Sequence, residues 1–120
     1  MTAIMAHQSD AQTRSLDTVR HRRSVLAAAL GFLQLREDPP EVYPLRRYLD
    51  SWRGVGDVIA GLHAQSFDIE MRQFPRGWRV NLCPTGTAHS IVVASAWEPT
   101  PWRAVQRAGW VALSRPEELA

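Results

Sequence analysis

The stretch "CPTGTAHS" at residues 83–90 contains the residue types that a nucleophilic enzyme uses. Cys83, the single cysteine of the chain, lies six positions before His89. A cysteine becomes nucleophilic when a histidine, a cation or a helix N-terminus lowers the pKa of its thiol. A small enzyme that uses Cys83 and His89 is the weakest of three functional hypotheses, because it requires the loop to fold His89 back onto the thiol.

Two alternating segments before this loop predict a β-hairpin. Residues 67–73 (FDIEMRQ) and 78–83 (WRVNLC) carry apolar side chains at every second position. A loop at residues 74–77 (FPRG), with its glycine in a left-handed conformation, pairs Gln73 with Trp78. A one-residue slip would scatter the apolar side chains over both faces, so the pattern specifies this register.

The same register argues against catalysis at Cys83. It places Cys83 on the outer face of the hairpin, partly exposed and opposite Asp68, and a neighbouring carboxylate raises the pKa of a thiol. Metal binding is also disfavoured, because no two of the four histidines share a helix face or a strand and one cysteine gives no zinc spacing. We predict no catalytic residue, no metal and no cofactor.

The other segments predict an α+β fold of the order α-α-β-β-β-α, in which a three-stranded antiparallel sheet has helices on one face. Residues 1–14 show no periodicity, which favours disorder. Residues 15–37 form an N-terminal helix capped by Ser15, and prolines break the chain before an α-β-β-β-α domain at 44–115. In that domain Gly54 and Gly56 bend or split the first helix, 90–97 form a buried third strand, and Thr100 caps the last helix.

Charge distribution supports a second hypothesis, nucleic-acid binding. All 14 basic residues are arginine, and the net charge is only +2. The α-β-β-β-α order is that of double-stranded-RNA-binding domains, but the predicted hairpin turn is tight and the last helix lacks a lysine cluster. The basic surface would consist of arginines near Trp78, Trp97 and Trp102, namely Arg72, Arg76, Arg79, Arg103 and Arg107.

The leading hypothesis is a non-enzymatic interaction or regulatory module. The segment 25–35 is apolar almost all round, so we expect it to be buried on several sides or packed against a partner or a second copy. The predicted contact residues are Leu30, Phe32 and Trp110. The apolar run is too short to span a bilayer and a lone cysteine indicates no oxidising compartment, so we predict a cytoplasmic protein without membrane contact.

Three segments resemble a group of small bacterial proteins from GC-rich genomes. They are "LDSWRGVGDVIAGLHAQSFDIEM", "GWRVNL" and "TPWRAVQRAGWVAL", in this order. The resemblance covers about residues 45–113, and its most specific parts are the tryptophan-glycine helix and the helix that opens with Thr-Pro-Trp. It implies a bacterial, cytoplasmic protein. No activity is attached to the group, so the resemblance assigns no catalytic residue.

Overall fold

The predicted α+β architecture is confirmed by a computed structural model, which describes residues 2–35, 40–87 and 91–115, with side chains from Arg14 onward. The three strands form one antiparallel sheet in the order β1-β2-β3, and the helices pack against it. A short 3-10 turn at Pro40–Val42 precedes the second helix. The elements are α1 (Thr2–Phe32), α2 (Tyr43–Leu49), α3 (Trp52–Ala64), β1 (Phe67–Phe74), β2 (Gly77–Pro84), β3 (Ala94–Glu98) and α4 (Pro101–Leu113).

The hairpin register is the predicted one. Gln73 pairs with Trp78, and Asp68 lies opposite Cys83. The turn is shorter than expected, since Phe74 and Gly77 are themselves paired. A Cβ atom at Gly77 would lie 2.6 Å from the carbonyl oxygen of Glu98, so this position requires glycine because β3 approaches closely.

The first predicted helix of the 44–115 segment is split, but not at its glycines. The break falls at Asp50 and Ser51, where the Ser51 hydroxyl accepts a hydrogen bond of 3.1 Å from the Gly54 amide and caps α3. A Cβ atom at Gly54 would lie 2.4 Å from the Cα of Leu49, so glycine permits the tight corner between α2 and α3. Gly56 has open space around it and plays no part in the corner.

One apolar core lies between the sheet and the helices. Its largest fully buried side chains come from α1, α3, the central strand and α4, and they include Leu30, Leu62, Leu82, Val80 and Val105. Glycines bring α1 and α4 close together. A Cβ atom at Gly109 would lie 2.8 Å from a methyl of Leu30, and one at Gly31 would lie 3.0 Å from the Trp110 ring.

The first helix and the third strand have other bounds than the sequence predicts, and the helix ends at Phe32 rather than at residue 37. The first helix begins at Thr2, so residues 2–14 are helical in the structure and Ser15 lies inside the helix rather than at its start. This segment contains no glycine or proline, and adding residues to an existing helix is far easier than starting one. The third strand begins at Ala94, and Ile91 and Val92 before it are exposed rather than buried.

Candidate nucleic-acid interface

Cys83 is fully buried, which corrects the prediction of a partly exposed thiol. It lies on the central strand, where Asp68 on β1 flanks it on one side and the residues that lead into β3 flank it on the other. Burial raises the pKa of the Cys83 thiol, and the carboxylates of Glu70 and Asp68 raise it further. The Cys83 thiol therefore ionises less readily than that of a free cysteine, which disfavours it as a nucleophile. His89, the other residue of the predicted pair, lies outside the described residues.

Among the side chains that the structure describes, those of residues 14–35, 40–87 and 91–115, no three of histidine, cysteine, aspartate or glutamate come together in a way that could hold a metal ion.

The outer face of the sheet carries two rows of side chains that cross all three strands. The first row is Arg72, Arg79 and Trp97, and the second is Glu70, Asn81 and Ser95. The indole of Trp97 is 51% exposed, and Arg72 and Ser95 are exposed as well. This face combines cations, an aromatic surface and hydrogen-bonding groups.

An aromatic and arginine cluster is built around Phe74, the last residue of β1. The Phe74 and Trp97 ring centroids are 4.6 Å apart at an interplanar angle of 42°. The guanidinium carbons of Arg72 and Arg79 lie 5.2 and 5.3 Å from the centroid of the Phe74 ring, within the range of cation–π attraction. The Phe74 ring thus lies beside two guanidinium groups and packs against the half-exposed indole of Trp97. We call Arg72, Phe74, Arg79 and Trp97 the sheet platform.

Sequence reasoning missed Phe74, because it assigned the residue to the loop. The strand parity could have identified it, since Phe74 continues the outward-facing series of Glu70 and Arg72. The shorter turn is what extends β1 to this residue. The sequence did group Trp97 with the arginines.

The five predicted arginines do not share one face. Arg76 is exposed in the hairpin turn beside the sheet platform. Arg103 and Arg107 lie on α4, which packs against the sheet. Arg103 lies 3.2 Å from Asp50, and Arg107 lies 3.1 Å from Glu98. Both arginines of α4 are therefore in close ion pairs.

The hairpin carries a second cationic surface, in which Arg72 and Arg76 are exposed and Arg79 is half-buried. Arg79 also has an acid on its own face, since its guanidinium lies 3.7 Å from the Glu70 carboxylate. That distance is longer than in the two pairs of α4, so the acid offsets the charge of Arg79 less strongly. Together with Arg72 and Arg76, Arg79 places three cations on the hairpin.

The hairpin end of the sheet also gathers tryptophans on the side of the helices. Both α3 and α4 begin at this end, because each runs antiparallel to the strand that adjoins it in the chain. Trp52 packs edge to face against Trp78 and Trp102, at centroid distances of 5.6 and 6.4 Å. With Trp97 on the outer face, four of the five tryptophans lie at this end.

The three predicted contact residues of the interaction hypothesis are placed differently from one another. Leu30 is fully buried in the core of its own chain, so its side chain is unavailable to a partner. Trp110 is half-buried and packs close to Gly31. Phe32 is 52% exposed.

Comparison with known proteins assigns no function to the chain. No protein-family model, curated protein or solved structure matches the chain. The described helices include none that is both long enough and apolar enough to cross a membrane. The resemblance to small bacterial proteins stays a prediction.

Proposed function

We propose that this protein is a non-enzymatic binding module that takes a single-stranded nucleic acid on the sheet platform. The observation that carries the proposal is the half-exposed Trp97 indole packed on Phe74 beside two arginines. Bases of any sequence stack on such an aromatic surface, and arginines hold the phosphates that connect them.

The second row of the sheet face supports contacts to base edges. The Ser95 hydroxyl donates a hydrogen bond of 2.7 Å to the Asn81 side-chain oxygen, which fixes the orientation of that amide. The amide NH2 group is a donor suited to the carbonyl and ring-nitrogen acceptors of a base. The carboxylates of Glu70 and Asp68 lie farther from the turn and repel phosphate. The bound nucleic acid is therefore confined to the hairpin end of the sheet.

Two observations favour a single strand over a duplex. A base must be unstacked before its ring can lie on Trp97, and a duplex keeps its bases paired and stacked. The hairpin turn contains only Pro75 and Arg76 between paired residues, which is too short to enter a minor groove. Protein association through Leu30, Phe32 and Trp110 is less well supported, because Leu30 belongs to the core.

The experiment is fluorescence anisotropy with a labelled single strand of about 15 nucleotides and the matching duplex, over a salt series from low to physiological NaCl. We expect Trp97→Ala to weaken binding of the single strand about 5- to 150-fold, the equivalent of about 1–3 kcal/mol for one stacked base. Arg79→Ala should lower the slope of log K against log salt by about 0.7. Arg107→Ala is the matched control, since it removes the same charge from an arginine on α4 that also lies near an acid.

Four results would contradict the proposal. They are no binding at low salt, preference for the duplex, equal losses for Arg79→Ala and Arg107→Ala, and unchanged affinity after Trp97→Ala. Thermal melting of each variant separates a lost contact from a lost fold. Because Trp97 is half-exposed, its removal should leave most of the stability intact.

A further inference from the structure

The second row of the outer sheet face differs in chemistry from the sheet platform beside it. The platform is cationic and aromatic, whereas the second row combines the carboxylate of Glu70, the amide of Asn81 and the hydroxyl of Ser95. The two rows are two residues apart along each strand, a distance of about 7 Å. Asn81 is the diagonal neighbour of Trp97 across β2 and β3, and such neighbours are within reach of an aromatic side chain. A base that lies on the Trp97 indole therefore has one edge beside the second row.

Charge determines which edge of that base faces the second row. In a nucleotide the phosphates and the Watson–Crick edge of the base lie on opposite sides. The arginines of the sheet platform attract the phosphates, and the Glu70 carboxylate repels them. The sugar–phosphate chain is therefore held toward the hairpin turn, and the Watson–Crick edge points toward Asn81 and Glu70.

The hydrogen bond from Ser95 fixes what Asn81 presents to this edge. The Ser95 hydroxyl donates to the Asn81 side-chain oxygen at 2.7 Å, so the NH2 group is directed away from Ser95. The amide thus acts toward a base as a donor, and it pairs with an acceptor such as a base carbonyl.

Glu70 lies directly opposite Asn81 on β1 and supplies the complementary acceptor. Its side chain is 42% exposed, and its carboxylate lies 3.7 Å from the Arg79 guanidinium, which restrains its position. A carboxylate has about four acceptor sites, so Glu70 can accept from a base and keep its pairing with Arg79. Directly opposite side chains are close enough for one base edge to contact both. The second row therefore presents a donor next to an anionic acceptor.

We propose that the second row selects guanine in the bound single strand, an inference that rests on the proposed function. Guanine alone among the four bases has two adjacent N–H donors, on the ring N1 and the 2-amino group, beside the carbonyl O6. Two parallel N–H···O bonds to the Glu70 carboxylate form the bidentate arrangement that makes such contacts strong. The Asn81 amide then donates to O6, because it stands beside Glu70 in the same order as O6 stands beside N1.

The other three bases mismatch this pair of groups. Adenine and cytosine have one amino group with a ring acceptor beside it, and thymine has one N–H between two carbonyls. Each of them brings an acceptor against the Glu70 carboxylate or leaves one of its oxygens without a base donor. An acceptor held against a carboxylate repels it and loses its hydrogen bond to water, so the second row discriminates by the number of adjacent donors.

The test is fluorescence anisotropy at low salt with labelled thymine strands of about six nucleotides, a length within the site sizes of single-strand-binding surfaces. One inner base is replaced by guanine, adenine, cytosine or hypoxanthine, which has the N1–H and O6 of guanine but lacks the 2-amino group. We expect the guanine strand to bind at least about 5-fold more tightly than the all-thymine strand, the lower end of what one bidentate base contact supplies. The hypoxanthine strand should bind less tightly than the guanine strand.

Glu70→Gln has opposite expected effects on two strands. It should remove the preference for guanine, since an amide NH2 replaces one acceptor oxygen, and it should tighten binding of the all-thymine strand by removing a charge that repels phosphate. A merely structural role of Glu70 would weaken both strands together. Asp68→Asn is the matched control, because it removes the same charge from the next acid on the same face of β1 and should retain the preference. Asn81→Ala should reduce the preference for guanine.

The outcomes that overturn the inference differ from those that overturn the proposed function. No binding of any strand at low salt would overturn both. Equal affinity for all strands, or tighter binding of a base other than guanine, would overturn the selection of guanine alone and leave the single-strand surface in place. Equal affinity for guanine and hypoxanthine, or a guanine preference retained in Glu70→Gln, would also overturn the assignment of Glu70.

Discussion

Leu30 is the residue whose role changes most between sequence and structure, and its truncation is the sharpest test of the fold. Its side chain is fully buried, and it meets Gly109 of α4 so closely that a Cβ atom there would lie 2.8 Å from a leucine methyl. Because backbone lines one side of the site, the surroundings cannot collapse far into the cavity that Leu30→Ala leaves. Leucine-to-alanine changes in such sites cost about 2–5 kcal/mol, and we expect about 3 kcal/mol here.

The expected loss in the free energy of unfolding also gives the expected shift in melting temperature. At roughly 2.1 cal/mol/K per residue, the chain of 120 residues has an unfolding entropy of about 0.25 kcal/mol/K. A loss of about 3 kcal/mol then lowers Tm by roughly 12 °C. Phe32→Ala is the matched control on the same helix, and truncation of the half-exposed Phe32 side chain should cost less than about 1 kcal/mol.

The assay is urea unfolding followed by tryptophan fluorescence, with the m-value compared between variants. An unchanged m-value with a lower midpoint reports a loss of stability rather than a change in the unfolded state. If Leu30 were an interface residue, Leu30→Ala would dissociate a complex and leave the free energy of unfolding of the monomer intact. Equal costs for Leu30→Ala and Phe32→Ala would refute the assignment of Leu30 to the core.

Three local contacts carry further predictions. Gly54→Ala should lower the free energy of unfolding by several kcal/mol, because its Cβ would overlap the backbone of Leu49. Gly56→Ala has open space around it and should raise the free energy of unfolding by about 0.5–1 kcal/mol through helix propensity. Urea titrations of the two variants side by side check both expectations. Cys83 should react with a thiol reagent at neutral pH far more slowly than a free cysteine, and its rate should rise only at a pH above the ordinary thiol range, because its pKa is raised. The protein unfolded in urea is the control and should react at the ordinary rate. Fast reaction of the folded protein would contradict the raised pKa. Thr100→Ala removes the hydroxyl that accepts a hydrogen bond from the Arg103 amide, so thermal melting should show a loss of about 0.5–2 kcal/mol.

The sheet was predictable because its information is local. Alternation in each strand, with a proline and a glycine at the turn, was enough to pair Gln73 with Trp78. The cap at Thr100 was equally readable, since the residue and its amide partner are three positions apart. Each of these features depends on residues that are close together in the chain.

The features that sequence reasoning missed depend on distant contacts. Leu30 is apolar whether its partner is another chain or Gly109, and only the three-dimensional arrangement distinguishes the two. Burial of Cys83 follows from the position of β2 in the middle of the sheet, which the hairpin alone does not reveal. The sheet platform was predictable in part, because arginines and Trp97 were grouped, but Phe74 depended on the exact length of the turn.

The contact between α1 and α4 has a consequence for biosynthesis. Leu30 and Gly109 are about 80 residues apart, and the apolar run that surrounds Leu30 is synthesised before the other described elements, whereas its covering helix follows all of them. At about 5–20 residues per second, the ribosome needs roughly 4–16 s to synthesise that interval. During this time the apolar side of α1 is without its native partner, so the nascent chain is most exposed to aggregation before α4 emerges, and a chaperone that binds short apolar segments would act in that interval.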